Sequence, residues 1–298
     1  MRPGIAWSLP AHALCDSLDL VRCNHFGLLV ILATVGCGAN VEQDASKSSN
    51  RLDIAKDFLR KHQLEAAENE CNRALAFNKA NDEAYVVRGL VSMVRAIDTQ
   101  RTIEVDSCLT GVDREATQKD LDKFLETADV DFTLASKVTP EYGEAWADRG
   151  VVHNLEDDPG TAVGYLTKAL EYPMRLDNPA LTRAHLGWAL FHQQKYVDAA
   201  KELRQAKQFQ PNMCVATYRL ARVYFAREEW EKAAELFQTA SDDLSCGSQE
   251  ASYYLMKTRM QQGLVADAKL ARDACLKVSP QSCIASQCRA DSRGLPGH

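Results

Sequence analysis

The chain carries little that would let it cross a bilayer. Its apolar stretch "FGLLVILATV", Phe26 to Val35, runs ten residues without a charge, and a membrane-spanning helix needs about 20. Positive charge is also in short supply: 35 Lys plus Arg face 41 Asp plus Glu, a net charge of -6. That balance excludes the basic footprint of a nucleic-acid-binding protein. No charge run is long enough to form an acidic or basic tail. The chain has no CxxC pair, no HExxH, no GxSxG and no glycine-rich phosphate loop, so the usual metal, nucleophile and nucleotide motifs are missing. Its seven histidines are scattered; His62, His153, His185 and His192 fall on helical stretches and read as surface or groove residues. The expectation is a protein without catalytic residues, metal or cofactor.

What is present begins with size. At 298 residues, 46% apolar and 26% charged, the chain can bury a sizeable core. Ten cysteines lie between Cys15 and Cys288, and thiols dispersed without metal spacing point to an oxidising compartment.

The apolar stretch is preceded by Arg22 and His25 and followed by Gly36 and Cys37, the layout of a secretory signal peptide. "TVGC" resembles the lipobox of bacterial lipoproteins, which are cut before the cysteine and carry a diacylglycerol on its sulfur. Thr34 stands where that family usually has Leu. The resemblance makes Cys37 the lipidation site. Gly38, where many bacteria place an Asp to hold a lipoprotein in the inner membrane, implies the periplasmic face of the outer membrane. A single acyl chain binds at only about 10⁴ M⁻¹, whereas two or three anchor firmly. The alternative for Cys37 is a small hydrophobe ending an apolar helix. Residues 37–50 read as a polar tether. Residues 1–36 are then an upstream extension plus signal peptide; Asp16 and Asp19 do not suit a signal, and Val21 is an alternative start.

The rest repeats itself. Leu186, Gly187, Ala199, Leu203 and Ala206 recur 34 positions later as Leu220, Ala221, Ala233, Phe237 and Ala240, the tetratricopeptide period. A shift of 35 adds Leu255, Met256, Ala268 and Cys275, closed by Pro280. Upstream, Trp146, Gly150, Ala162, Leu166 and Ala169 fit the template, as do Tyr85 and Gly89 with Ala128, Phe132, Ala135 and Pro140, and Ala55, Phe58, Ala67, Cys71 and Ala74. The expectation is an all-α tetratricopeptide-repeat superhelical solenoid of about six helix pairs, with units at 48–81, 82–142, 143–179, 180–213, 214–248 and 249–282. In domain terms the array is 51–282, with an insertion near 93–120 and a cysteine-containing tail at 283–298. Gly89 and Ala128 stand 39 positions apart where Gly150/Ala162 and Gly187/Ala199 stand 12 apart. About 27 inserted residues thus predict longer helices joined near Gly111, on a face that repeat proteins often use for binding.

In such repeats the first helix of each pair lines a concave surface. Its positions free of packing duty are Leu181, Ala184, Trp188, Phe191 and His192, then Val215, Tyr218, Arg222 and Phe225, then Glu250, Tyr253, Lys257 and Met260. The result is an aromatic strip with two cations, the residue types of binding hot spots, in a groove for an extended segment or an amphipathic helix. The candidate protein-binding residues are Trp188, Phe191, His192, Tyr218, Arg222, Phe225, Tyr253 and Lys257. Trp188 and Phe225 have an alternative role covering the inter-helix core. Among the cysteines, bridges of Cys71 with Cys108, Cys214 with Cys246, and Cys275 with Cys283 or Cys288 are candidates. Cys71 and Cys275 also sit at core positions and read equally as buried hydrophobes.

"TVGCG", the polar stretch after it and the six-unit array, with "AHLGWALFHQQKYVDAAKELRQA" and "YRLARVYFAREEWEKAAELFQTA" its most typical units, together resemble tetratricopeptide-repeat pilotin lipoproteins of type IV pilus secretins, including the Tgl-like proteins of gliding bacteria. The resemblance implies a protein partner, secretin subunits, held in the groove and brought to the outer membrane by the lipid on Cys37, to promote multimer assembly. The rival is a periplasmic scaffold docking cell-wall enzymes.

Overall fold

Each repeat folds as two antiparallel helices whose spacing is set by a small residue on the first and a large one on the second. The computed structural model describes residues 35–103, 113–243, 246 and 249–294, with side chains from residue 42 onward. Six pairs follow in order: α1 (Val35–Arg60) with α2 (Leu64–Phe77), α3 (Asp82–Arg101) with α4 (Arg114–Val138), α5 (Gly143–Leu155) with α6 (Pro159–Glu171), α7 (Pro179–His192) with α8 (Tyr196–Phe209), α9 (Cys214–Ala226) with α10 (Trp230–Asp242), and α11 (Gln249–Gln261) with α12 (Val265–Val278). A short α13 (Cys283–Asp291) closes the series. The fold is an all-α tetratricopeptide-repeat solenoid, as the 34-residue period predicts.

The small-to-large contacts are tight enough to fix residue type. A Cβ on Gly89 would lie 2.6 Å from Phe132 Cε1, and one on Gly187 2.6 Å from Leu203 Cγ; a Cβ on Gly150 would overlap Leu166. Phe132, Leu166, Leu203 and Phe237 are wholly buried. Enlarging the small partner overpacks the core, at about 1–3 kcal/mol. Five of the turns inside the pairs pass through left-handed backbone, at His62, Asp157, Gln194, Glu228 and Gly263, with φ of 58–72°. Only the last is the residue that adopts it without strain.

The inserted residues lengthen both helices of the second pair. α3 has 20 residues and α4 has 25, against 13 or 14 in the pairs that follow. Met93, Ala96, Ile103, Leu121 and Leu125 bury the added turns. The joining residues, including Cys108 and Gly111, lie outside the described residues. Across this pair Arg88 donates through Nε and Nη2 to both oxygens of buried Asp131, at 2.9 and 2.6 Å.

Three differences from the sequence reading concern the ends and the cysteines. The polar stretch 37–50, read as a tether, falls within α1. Ser48 is fully buried, donates to the Ala74 carbonyl at 2.8 Å and accepts from Asn81 Nδ2 at 2.9 Å, so one well-placed hydroxyl docks a segment whose composition is otherwise solvent-like. The tail is helical: the Ser282 side chain caps α13 at Ala285 N and donates to Gln249 Oε1 at 2.7 Å, while Cys275–Cys288 ties α13 to α12. Cys71 is a free, wholly buried thiol packed with Ala55 and Ala74, its pKa pushed up to about 12 by burial. The bridge to Cys108 is therefore replaced by the alternative, a small hydrophobe. Cys214–Cys246 forms as expected, Cα atoms 5.2 Å apart. Closing 32 residues is worth about 3–4 kcal/mol in the chain-entropy account. Cys283 is also disulfide-bonded. Among the described residues no helix is long and apolar enough to cross a membrane.

Candidate protein-binding groove

The first helices α7, α9 and α11 present their side chains at helical spacing, so residues three or four apart share a face. On α7, Trp188 stacks on Phe191 with ring centroids 4.9 Å apart and meets His192 edge-on at 4.6 Å. On α9, Arg222 stands one turn beyond Tyr218 and donates to its hydroxyl at 2.9 Å. The Arg222 guanidinium carbon then lies 3.9 Å from the Tyr254 ring centre and 5.5–5.8 Å from those of Trp188, Phe191 and Tyr218. Five of the eight predicted groove residues, Trp188, Phe191, His192, Tyr218 and Arg222, thus meet around one cation held by π-faces.

The other three point elsewhere. Phe225 packs edge-on against Trp230, Phe237 and Tyr254, away from Arg222, in the partly buried margin of the core that also includes Phe191 and Tyr218. Trp188 belongs to none of the described core clusters, so the core alternative holds for Phe225 and not for Trp188. Tyr253 and Lys257 are engaged by α13: the Tyr253 hydroxyl donates to Asp291 Oδ2 at 2.7 Å, and Lys257 Nζ lies 3.9 Å from the same oxygen. Cys37 falls on the α1 backbone, its side chain outside the described residues.

Two groove residues were absent from the sequence reading. Tyr254 is one position past the predicted Tyr253 and forms the floor beneath Arg222. Arg219 sits half-buried between α9 and α7, donating to the Ala184 carbonyl at 3.1 Å and lying 3.3 Å from His185 Nδ1. Burial holds His185 well below the usual imidazole range, so the ring is neutral. A guanidinium has only donors; Nδ1 must accept, and the His185 proton resides on Nε2. Burial lowers Arg219 to about 10, which leaves it charged at neutral pH. No carboxylate pairs with Arg219 or Arg222 among the described residues. Burial also lowers His192, against the pull of Asp157 at 3.6 Å, and raises the Tyr218 phenol.

At the neighbouring unit the charge reverses. Glu144 on α5 accepts from the Asp177 backbone N–H at 2.9 Å. Asp148, one turn along, is 7% exposed, and its Oδ2 has no hydrogen-bond partner. Burial, with Glu144 and Asp177 nearby, holds the Asp148 carboxyl well above its usual range. For metals, the described residues offer one trio with suitable closeness, Cys214, Asp243 and Cys246, and its two sulfurs are bonded to each other.

No protein-family profile and no curated protein sequence matches the chain. Solved structures do. A crystal structure of PilW, described as a widely conserved type IV pilus biogenesis factor, superposes with a TM-score of 0.65 at 16% identity, over 80% of this chain and 97% of that one. Pseudomonas aeruginosa pilF gives 0.62 at 12%, over 84% and 99%. A chain of the APC/C hetero-tetramer Cut9-Hcn1 gives 0.66 at 12%, over 86% of this chain and 45% of that one. What these chains share with this one is the tetratricopeptide-repeat fold.

Proposed function

We propose that this chain is a lipid-anchored, protein-binding adaptor of a type IV pilus system, a pilotin that captures secretin subunits in the α7–α11 groove and delivers them to the outer membrane. The observation that carries this reading is the half-buried aromatic strip around Arg222, on a fold that corresponds to nearly the full length of two pilus factors. The lipobox-like "TVGC" ending at Cys37 supplies the anchor and the periplasmic location. The mechanism is non-covalent. Holding a secretin segment at the membrane surface raises its effective concentration for neighbouring subunits, so the subunit contacts that build the multimer form more readily.

The test is the amount of detergent-resistant secretin multimer in membranes of the native host, compared among a deletion strain, a Cys37→Ala strain and a Trp188→Ala/Phe191→Ala strain. Loss of multimer with monomer retained in the deletion and groove strains is the expected result, with mislocalised monomer in the Cys37→Ala strain. Normal multimers in all three would overturn the reading.

A further inference from the structure

Arginines on the first helices of the earlier units hold carboxylates: Arg88 is paired with Asp131, Arg95 with Glu68, Arg149 with Asp129 and Arg183 with Glu202. Among the described residues Arg222 is held by a tyrosine hydroxyl and four rings, and Arg219 by a carbonyl, a neutral imidazole and the Trp188 ring. On α5, Glu144 and Asp148 have the opposite deficit, since Asp148 Oδ2 is buried with no donor. The two ends are complementary: a cation without a carboxylate at Arg222, and on α5 a buried, unpartnered carboxyl that keeps its proton until a cation is brought against it. Glu144, Asp148 and Asp177 do not form a metal cluster among the described residues. A side-chain ammonium or guanidinium on a long stem suits the acidic end better than a bare ion.

We infer that the groove binds an extended protein segment carrying an acidic side chain that pairs with Arg222 and a basic side chain that docks at Glu144 and Asp148, with apolar residues between them on Trp188 and Phe191. This rests on the groove being the protein-binding site. α7 lies between α5 and α9, so the two charged ends are two interhelical spacings of about 8–10 Å apart. An extended segment covers that with five or six residues at about 3.3 Å each. The carboxylate is a side chain within the segment, because the chain must continue past Arg222 toward α5. The two charges fix register and direction, which a strip of rings alone leaves open.

The experiment measures binding of the full-length protein to Ac-Glu-Ala-Leu-Phe-Ala-Leu-Lys-NH2 and to the reversed sequence. Versions with Gln in place of both charged residues are the reference. One of the two charged peptides should bind at least tenfold more tightly than its Gln version, and only one, because direction is fixed. With Arg222→Gln, the charged peptide and its Gln version should bind within threefold of each other. Glu144→Gln/Asp148→Asn should do the same through the other end, and serves as the second test if Arg222→Gln proves unstable. Equal binding of charged and Gln peptides, an advantage that survives both variants, or no binding of any peptide would overturn the inference. Secretin multimers that need Trp188 but are indifferent to Arg222→Gln would leave the pilotin reading standing and sink this one alone.

Discussion

Units two, three and four use their arginines differently from unit five, although all four are built on the same helix pair. In α3, α5 and α7, Arg88, Arg95, Arg149 and Arg183 each hold a carboxylate from a neighbouring helix. In α9, Arg219 and Arg222 hold none among the described residues and rest on rings and a carbonyl instead. A paired charge is part of the scaffold, whereas one that rests on half-buried rings is available to a partner. The difference predicts that arginine substitutions damage stability in the first region and binding in the second.

The largest effect expected is in the packing both regions share. Phe132→Ala removes the ring that fills the space opposite Gly89 and should cost about 3–5 kcal/mol, read from denaturant unfolding. Next is Arg88→Leu, which strands Asp131 at 3% exposure. Breaking a buried pair this way costs about 3–5 kcal/mol, near the lower end here because Arg88 is partly exposed. Arg222→Gln, by contrast, loses contacts worth about 0.5–1 kcal/mol, and its melting temperature should barely move. If Arg88→Leu and Arg222→Gln prove equally destabilising, the contrast between the regions fails.

Asp148 sharpens the comparison, because its buried carboxyl lies in the first region without a partner at Oδ2. Its folded pKa is raised by burial and by Glu144 and Asp177, so the folded state holds that proton more tightly than the unfolded chain. Stability is therefore greatest below the unfolded carboxylate value near 3.9 and declines as pH rises toward the folded value. Asp148→Asn should flatten that decline and raise stability at neutral pH by about 1 kcal/mol. A steeper fall, or a loss, in melting curves from pH 4 to 8 would contradict the assignment. The smallest effect is in the turns: Glu228 has φ of 60° where the sixth pair has Gly263 at 72°. Glu228→Gly should be neutral to about 1 kcal/mol stabilising, the relief of left-handed strain set against the extra freedom of the unfolded glycine.

Much of this was legible in the sequence because the repeat makes packing local. Gly187 and Leu203, or Ala221 and Phe237, recur at the same spacing, and two helices joined by a short turn have few ways to bring them together. The same register placed Trp188, Phe191, Tyr218 and Arg222 on one surface. The misses come from contacts that register does not encode. Tyr253 and Lys257 have the right spacing but meet Asp291 because the tail folds back under the Cys275–Cys288 bridge. Tyr254 lies at the seam between first helices, a place visible only once neighbouring pairs are stacked. Ser48 finds the Ala74 carbonyl 26 residues away, which average polarity could not foretell. Phe225 was drawn inward because Phe237 and Trp230 offer it rings on that side.

The most direct measurement is the level of secretin multimer in membranes of cells whose only copy of this protein carries Trp188→Ala, with the protein's own abundance read in the same sample. The account predicts loss of multimer at unchanged abundance, since Trp188 lies outside the core clusters and inside the groove. Normal multimer at normal abundance would contradict it.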